Sequence, residues 1–247
     1  MAHSFVNLTL DNIDTEHLCC AISDKKHAIG VSAKKKWLKD RITEGHVFRK
    51  ATVQGKVFIE YAPLESAWVP ILKDNYFYIY CLWVSGSYKN SGYGKELLTY
   101  CIDDAKEKNK SGICVLSSKK KKLFLSDKKF FTKYGFKKVA EVGEYELLAL
   151  SFDDSIPTFS ASVQQGKVED DSLTIFYDNQ CPYIPHQIEE VKEYCEREDI
   201  LLTLIPVETL NQAKHLPTIF NNWAVFYKKE FKGVHLLNSS YIKKLIL

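Results

Sequence analysis

The stretch from Tyr76 to Lys108 most constrains the fold, because it contains a buried strand, a glycine-broken turn and an amphipathic helix in succession. The run NYFYIYCLWV is apolar on both faces, which is typical of a central strand that is covered on both sides. After the turn, which ends near Lys95, apolar residues resume at Leu97 and Leu98 with helical spacing. The turn therefore places a helix N-terminus beside the end of the strand, and this arrangement suits an anion.

Length and composition limit the class of protein. A chain of 247 residues exceeds the common domain size of about 100 to 150 residues, which favours two domains. No run approaches the roughly 20 apolar residues of a membrane span, and the first residues lack a signal-peptide pattern. The seven cysteines show no zinc-type pairing, and a net charge of +3 is too small to indicate nucleic acid. These features predict a cytoplasmic protein without a membrane, nucleic-acid or metal partner.

The part before the central strand predicts helices and a hairpin. One helix is expected after Asp14 or Thr15, and a second over residues 33–44. The runs HVFRKATV and KVFIEYAP are joined by a short glycine-containing turn and predict an antiparallel hairpin. The run SAWVPI is expected to add an edge piece before Pro70. A hairpin beside a central strand indicates an α+β sheet rather than a dinucleotide fold.

After the central helix, GICVLSS predicts another buried strand, and SDKKFFTKYGF predicts a short helix capped by Ser126 or Asp127 and closed by Gly135. A further strand follows through YELLALSF. The order of hairpin, strand, K-x-x-G-x-G turn, helix, strand and F-F-T-K-Y-G-F resembles the GNAT superfamily of acetyl-CoA-dependent N-acetyltransferases over roughly residues 5–152. The resemblance implies an α+β GNAT fold, with a mixed, mostly antiparallel central sheet and helices on both faces.

The resemblance implies acetyl-CoA as co-substrate and places its pyrophosphate on the glycine turn. The residues of this loop are Lys89, Asn90, Ser91, Gly92, Tyr93, Gly94 and Lys95. Lys89 stands where the family has Gln or Arg, which keeps the charge but loses the planar fork. The pantetheine arm is expected to pair with the backbone of Leu82, Trp83 and Val84, where a strand-end N–H near Val84 polarises the thioester carbonyl.

The resemblance leaves the proton donor open. The family tyrosine that protonates the departing thiolate falls on Phe131, which has no proton to give. Tyr134 on the same helix and Tyr78 or Tyr80 on the central strand are alternative donors, and departure of the thiolate without assistance is a further alternative.

The acceptor amine, when protonated, needs a base or an ordered water. Glu60, on the strand FIEY beside the central one, is the first candidate, and Glu65 is the second. His17, His27 and His46 are alternatives that no spacing favours.

A change of composition marks the second part of the chain. Residues 153–171 are rich in serine, glycine, proline and charge without periodicity, which is typical of a linker. We therefore predict a GNAT domain over residues 1–155, a linker over 156–171 and a second domain over 172–247. The sequence of the second domain predicts elements in the order β-α-β and then β-β-α, with the first two strands parallel.

The second domain resembles thioredoxin-like proteins. Its C-P-Y-I at Cys181 stands where glutaredoxin-like proteins carry C-P-Y-C, and the layout of the whole chain resembles acetyltransferases with a YoaP-like C-terminal domain. Ile184 replaces the second cysteine, so dithiol chemistry is not expected. A thiolate at a helix N-terminus favours binding of a thiol, an electrophile or a soft metal, as an alternative to inert structural use.

Together these features predict an acetyl-CoA-dependent N-acetyltransferase that transfers an acetyl group to a primary amine by direct attack in a ternary complex. The expected acceptor is a small molecule or a peptide, and the expected assembly is a monomer or a homodimer. The alternative is a thiol- or soft-metal-binding sensor that acts through Cys181 and carries a degenerate coenzyme A site.

Overall fold

The structure is a computed structural model that describes residues 3–21 and 25–246, with the backbone alone for Cys19. It divides into two compact units. The first unit comprises Met1–Ser23, Lys35–Ala67 and Ile71–Phe159, and the second comprises Asp24–Lys34, Trp68–Pro70 and Ser160–Leu247.

A seven-stranded sheet forms the centre of the first unit. The strands up to Ser151 are β1 (Phe5–Asn7), β2 (Val47–Ala51), β3 (Val57–Pro63), β4 (Ile71–Leu72), β5 (Tyr76–Val84), β6 (Gly112–Ser118), β7 (Lys137–Val142) and β8 (Tyr145–Ser151). The order across the sheet is β1-β2-β3-β5-β6-β8-β7. The pair β5 and β6 is parallel and the other neighbours are antiparallel, which agrees with the mixed, mostly antiparallel sheet that the resemblance implies.

The strand β4 lies outside this sheet and pairs with β9 (Thr158–Phe159). The predicted edge piece before Pro70 is therefore misplaced, because the strand begins after this proline. Proline lacks the backbone N–H that a strand position needs, which explains why pairing starts beyond it.

The helices of this part of the chain are α1 (Ala28–Thr43), α2 (Tyr93–Glu107) and α3 (Lys128–Lys133). The second predicted helix exists but begins at residue 28 instead of 33. The first one, after Asp14 or Thr15, is wrong: the chain there forms turns and then a 3-10 helix over Cys19–Ala21. The side chain of Asn12 accepts from the amide of Thr9 at 2.8 Å, and such local bonds compete with a helix.

The apolar stripe of α2 packs on one face of the sheet. Leu97, Leu98 and Cys101 are fully buried against strand residues that include Ile59 and Ile79. On α3, Asp127 is the N-cap and accepts from the amide of Lys129 at 2.9 Å, while Phe131 is 2% exposed. Gly135 ends this segment with a φ of +89°, which is the conformation that glycine permits most readily.

A four-stranded sheet forms the centre of the second unit. Its elements are β10 (Leu173–Tyr177), α4 (Ile184–Arg197), β11 (Leu202–Pro206), α5 (Leu210–Lys214), β12 (Trp223–Tyr227), β13 (Glu230–Gly233) and α6 (Ser239–Ile246). The sheet order is β11-β10-β12-β13, with β10 and β11 parallel and the other pairs antiparallel. This confirms the predicted parallel β-α-β unit and the hairpin and helix that close the chain.

Two features of the chain beyond Ser151 were not predicted. The short helix α5 begins with a capping box, in which Thr209 and Gln212 satisfy each other's backbone amides. The stretch predicted as a linker contains β9 and a 3-10 helix over Ala161–Gln164. Among the described residues, no helix is long and apolar enough to cross a membrane.

Candidate coenzyme and proton-transfer site

The strands β5 and β6 pair along only part of their length. Pairing runs over Tyr76–Ile79 of β5 and Gly112–Val115 of β6. In the described part of the chain no pair joins the two strands beyond these residues, because Leu116–Ser118 pairs only with β8 on its other side. A gap, which we call the wedge, therefore opens between Tyr80–Val84 and Leu116–Ser118, and one extended chain can lie along its backbone groups.

A β-bulge in β5 lies at the narrow end of the wedge. Tyr61 pairs with Ile79 and Glu60 pairs with Cys81, so two residues of β5, Tyr80 and Cys81, lie opposite Glu60. A bulge bends its strand and redirects side chains, and it is common beside functional sites. Tyr80 is also the first residue of β5 beyond Ile79, where the pairing with β6 ends.

The predicted pyrophosphate loop leaves the wide end of the wedge. A 3-10 helix over Gly86–Tyr88 is followed by Asn90 with a φ of 62° and by Gly92 with a φ of 91°. Gly92 is the N-cap of α2, and the first helical bond runs from the amide of Glu96 to the carbonyl of Gly92 at 3.1 Å. The amides that precede Glu96 in the helix thus face outward as donors for an anion.

The side chains of this loop leave it accessible. Most of its members are exposed, namely Lys89, Asn90, Ser91, Gly92 and Lys95. A side chain at Gly94 would meet Phe130 at 3.4 Å and Val84 at 3.8 Å, so glycine allows the helix to lie close to the strand end. Tyr93 is buried and stacks on the ring of His3 at 3.7 Å. His3 Nδ1 lies 2.7 Å from Glu96 Oε1, in the first turn of α2.

The three residues expected to hold the pantetheine arm lie at the open end of β5. Leu82, Trp83 and Val84 are half-buried, unlike the fully covered start of the same strand. Leu82 and Val84 pack against the core on the α2 side, whereas Trp83 pairs with Phe58. Their backbone along the wedge is the segment that an added chain would contact.

The candidate base Glu60 is fully buried and bonded to a histidine. Glu60 Oε1 lies 3.0 Å from His46 Nε2, and the side chains are 0% and 2% exposed. The ring of His46 contacts Trp37 of α1 at 5.3 Å and Tyr80 at 5.1 Å. No spacing in the sequence favours His46 over the other histidines. The register of β2 and β3 would have identified it. Phe48 is paired with Glu60, and His46 lies two residues before Phe48, so its side chain is on the same face of the sheet.

The candidate acids lie on opposite faces of the sheet. Tyr78 is fully buried on the Glu60 face, with its ring 5.0 Å from that of Tyr80. Burial, and then the neighbouring Cys114 and Tyr80, hold the pKa of Tyr78 well above its usual range, so its hydroxyl stays protonated. Tyr134 ends α3, is half-buried, and packs with Phe130 on the α2 side. The pairing register therefore places Glu60 and Tyr78 on one face of the sheet, and Tyr134 packs on the other face.

The remaining candidate bases have other contacts. Glu65 is exposed and accepts from the amide of Asn75 at 2.7 Å. His17 Nδ1 lies 3.2 Å from the buried Lys50 Nζ, and burial followed by the charge of Lys50 lowers the pKa of His17. Lys50 also pairs with Glu16 at 2.7 Å, a hydrogen bond that lowers the pKa of the Glu16 carboxyl.

Cys181 lies between β10 and α4 in the second unit. It is half-buried and packs on the apolar core of that unit. The loop is held by buried polar side chains: the amide of Gln180 donates to Asp178 at 2.9 Å, and Asn222 donates to Gln180 at 2.8 Å. Within the described residues, no group of three or more His, Cys, Asp or Glu side chains is arranged to hold a metal ion.

A pocket of about 410 Å³ also lies in the second unit. Its walls come from the end of α4 and from α6, and include Tyr194, Glu198, Ser239 and Lys243. None of the predicted coenzyme or catalytic residues lines it.

Comparisons with known proteins agree with this geometry. The model of the acetyltransferase (GNAT) family matches residues 12–136, and a YoaP-like model matches residues 202–244. The uncharacterized N-acetyltransferase YoaP of Bacillus subtilis (strain 168) is 39% identical over 246 residues, which cover 98% of each chain. The chain therefore belongs to the GNAT acetyltransferase family and carries a YoaP-like C-terminal part.

The comparison with solved structures returned acetyltransferases. The PaiA N-acetyltransferase of Thermoplasma acidophilum, in complex with coenzyme A, is 15% identical and covers 62% of this chain and 100% of its own, with a TM-score of 0.44. A GNAT acetyltransferase of Staphylococcus aureus Mu50 is 18% identical, with the same coverage and a TM-score of 0.45.

Family membership defines the class of reaction. The protein is an acyltransferase that uses acetyl-CoA as co-substrate and acts on an amine acceptor.

Proposed function

We propose that this enzyme transfers the acetyl group of acetyl-CoA to a primary amine of a small molecule or a peptide, by direct attack in a ternary complex. The partial pairing of β5 and β6 beside the open turn at Gly92 is the observation that carries the proposal. A backbone gap that ends at a helix N-terminus suits a ligand with an amide-containing arm and a pyrophosphate.

In this proposal the coenzyme lies along β5 and ends on α2. Leu82, Trp83 and Val84 offer backbone groups to the pantetheine arm, and an N–H near Val84 polarises the thioester carbonyl. The amides of the loop from Lys89 to Gly94 bind the pyrophosphate. Exposed Lys89 and Lys95 add charge to it, and Asn90, Ser91 and Tyr93 shape the loop.

Proton transfer is assigned to the Glu60 face of the sheet and to α3. Glu60 serves as the base for the acceptor ammonium, which must lose a proton before its nitrogen carries a lone pair. The neutral amine then forms the new C–N bond, the C–S bond breaks, and the second amine proton ends on the coenzyme thiol. Tyr78 on the Glu60 face or Tyr134 at the end of α3 donates its proton to the departing thiolate and then takes up the second amine proton, so that this proton reaches the thiol through the phenol.

We further propose that the GNAT domain spans residues 1–155, that residues 156–171 link it, and that residues 172–247 are thioredoxin-like. The sheet order β11-β10-β12-β13, with one parallel pair at its start, supports this assignment. Cys181 at the start of α4 is the thiol that this domain presents. We also propose a cytoplasmic location, from the sequence features described above, and a monomer or a homodimer as the assembly.

Calorimetry with acetyl-CoA and a screen of primary amines test the proposal. The panel runs from a polyamine through an amino sugar to a peptide with an unblocked N-terminus, and release of coenzyme A thiol is the readout. We expect saturable binding of acetyl-CoA at one site and turnover with at least one amine. Absence of binding would overturn the proposal.

A pair of matched variants then separates the two candidate acids. Tyr78→Phe and Tyr134→Phe each remove one hydroxyl and leave the ring. Loss of the acid is expected to lower kcat about 100-fold while the affinity for acetyl-CoA stays unchanged. If neither variant lowers kcat, the thiolate leaves without a protein donor and both assignments fall.

A further inference from the structure

We propose that His3 is a coenzyme-binding residue: its imidazolium, held by Glu96, donates a hydrogen bond from Nε2 to the pyrophosphate of acetyl-CoA. This inference rests on the proposed function, because it concerns the loop to which the pyrophosphate is assigned there. It adds a side-chain donor from the segment before β1 to the backbone donors of the loop, and it makes coenzyme binding take up a proton.

The edge strand β1 places His3 beside the first turns of α2. Side chains alternate along an extended chain, so His3, Phe5 and Asn7 lie on the same side of it. This side faces α2, because the ring of Phe5 lies 6.0 Å from that of Tyr93 and Asn7 donates to the Tyr100 hydroxyl at 2.8 Å. The sequence alternation thus brings a histidine to the end of the helix where the coenzyme loop lies.

Two contacts fix the position of the imidazole. Its plane stacks on the ring of Tyr93, with the centroids 3.7 Å apart and an angle of 17° between the planes. Nδ1 lies 2.7 Å from Glu96 Oε1. The carbon between the two ring nitrogens, Cε1, lies 3.8 Å from the position that a Cβ would take at Gly92. Because Nε2 is one bond from this carbon, it borders the glycine turn.

The bond to Glu96 determines what Nε2 offers to a ligand. An ionised carboxylate only accepts hydrogen bonds, so Nδ1 carries a proton. Nε2 then has a lone pair in the neutral imidazole, which repels a phosphate oxygen, and is a donor in the imidazolium. Among the residues that the structure describes, Glu96 is the one hydrogen-bond partner of this ring, and the His3 side chain is 23% exposed. Nε2 is therefore accessible to an anion.

Protonation also changes the charge at the start of α2. The Glu96 carboxylate in the first turn opposes an anion at the same helix end. The imidazolium cancels this charge and adds a charge-assisted donor. An anion on the loop therefore prefers the protonated form of His3, so coenzyme binding near neutral pH should move a proton from the buffer to Nε2.

Other ionisable groups surround this corner of the first unit and belong in any interpretation of its pH dependence. Those on β2, the coenzyme loop and α2 are Arg49, Tyr88, Lys89, Tyr93, Lys95, Glu96 and Tyr100. Ordinary carboxylates, phenols, lysines and arginines keep one charge state between pH 6 and 8, whereas imidazole changes its charge in this range.

Calorimetry of the wild-type protein tests the inference without any variant. The probe is the acetyl thioester of dephospho-coenzyme A, which keeps the pyrophosphate but lacks the phosphate monoester that itself titrates near pH 6. Titrations at pH 7 in buffers of different ionisation enthalpy give the number of protons taken up. We expect an uptake of about 0.5 proton, and binding about 5- to 10-fold tighter at pH 6 than at pH 8.

Two variants separate the hydrogen-bond donor from the ring stack. His3→Phe keeps a ring on Tyr93 and removes both nitrogens, whereas His3→Gln keeps a donor for Glu96 but takes up no proton. Both should bind the probe about 10-fold more weakly than the wild type at pH 6, with no proton uptake. His186→Gln is the matched control, because His186 forms a similar pair with Glu190 at 3.3 Å on α4, and it should bind like the wild type.

The change Glu96→Gln should give a different pattern. Its proton uptake should fall, because the charge that favours the imidazolium is lost. At pH 8, where an ordinary imidazole is neutral, its affinity should rise, because the carboxylate no longer opposes the pyrophosphate.

Three results would overturn the inference while coenzyme binding stands. They are a wild-type proton uptake near zero, a His3→Phe variant that binds like the wild type at both pH values, and an uptake that persists in both His3 variants. Failure of the wild-type protein to bind acetyl-CoA would instead overturn the proposed function.

Discussion

The junction from β5 to α2 and the junction from β10 to α4 both lead a buried strand into the N-terminus of a helix. In the first, Gly92 adopts a φ of 91° and the lysines at both ends of the loop point to solvent. In the second, buried Asp178 accepts from the amide of Gln180 at 2.9 Å, so a protein carboxylate satisfies the loop donor.

Close packing adds to this difference. An added Cβ at Gly30 would lie 1.8 Å from the carbonyl oxygen of Pro182, so the start of α1 leaves no space above the second loop. An added Cβ at Gly92 would meet its nearest neighbour at 3.6 Å. A strand, a turn and a helix N-terminus therefore make an anion site only where the protein leaves the donors unsatisfied and accessible.

The largest expected effect comes from Gly92→Trp in the first junction. The positive φ and the new bulk should remove the outward amides, and the affinity for acetyl-CoA should fall about 100-fold or more in calorimetry. Gly143→Trp is the matched control, because Gly143 also has a positive φ of 57° but has open space around it in the β7–β8 turn. Equal loss in both variants would mean that strain, and not the loop, is responsible.

A smaller effect is expected from Glu96→Gln. This carboxylate lies in the first turn of α2 and is held by His3, so it competes with the pyrophosphate for the same positive end of the helix. Its removal should tighten acetyl-CoA binding about 2- to 5-fold at low salt, measured by titration.

Glu107→Gln, at the other end of α2, controls for the change in net charge. Weaker binding in Glu96→Gln would show that the carboxylate organises the turn. It would then play the part that Asp178 plays in the second junction.

The smallest effect is expected from Cys181→Ser in the second junction. Acetyl-CoA affinity and amine turnover should remain within about 2-fold of the wild type, because this loop has its donors satisfied internally. Mass spectrometry after alkylation checks that the thiol at this position has been removed. A loss of turnover beyond 10-fold would give the second unit a part in the reaction.

The course of the backbone from β5 through the glycine turn into α2 was predictable because the residue types of this stretch determine it. Gly92 permits a φ of 91° that other residues resist, Gly94 leaves room for Phe130 and Val84, and the flanking apolar runs define the strand and helix. The His46–Glu60 pair was not, since it depends on which residues the β2–β3 register places opposite each other. The absent first helix and the unpredicted α5 have the same origin: side chains of Asn12 and Thr209 redirect a few backbone hydrogen bonds.

On the proposed function, coenzyme bound in the wedge would become a structural component of the sheet. A ligand that binds only the folded chain raises its stability by about 2.7 kcal/mol when present at 100 times its dissociation constant. Because β5 is the central strand of the seven-stranded sheet, binding of acetyl-CoA along it should stabilise the fold. In a cell that is short of acetyl-CoA, a smaller fraction of the enzyme would then resist proteases. The abundance of the protein would then follow the supply of its own co-substrate, and a pulse-proteolysis assay with and without acetyl-CoA would measure that dependence.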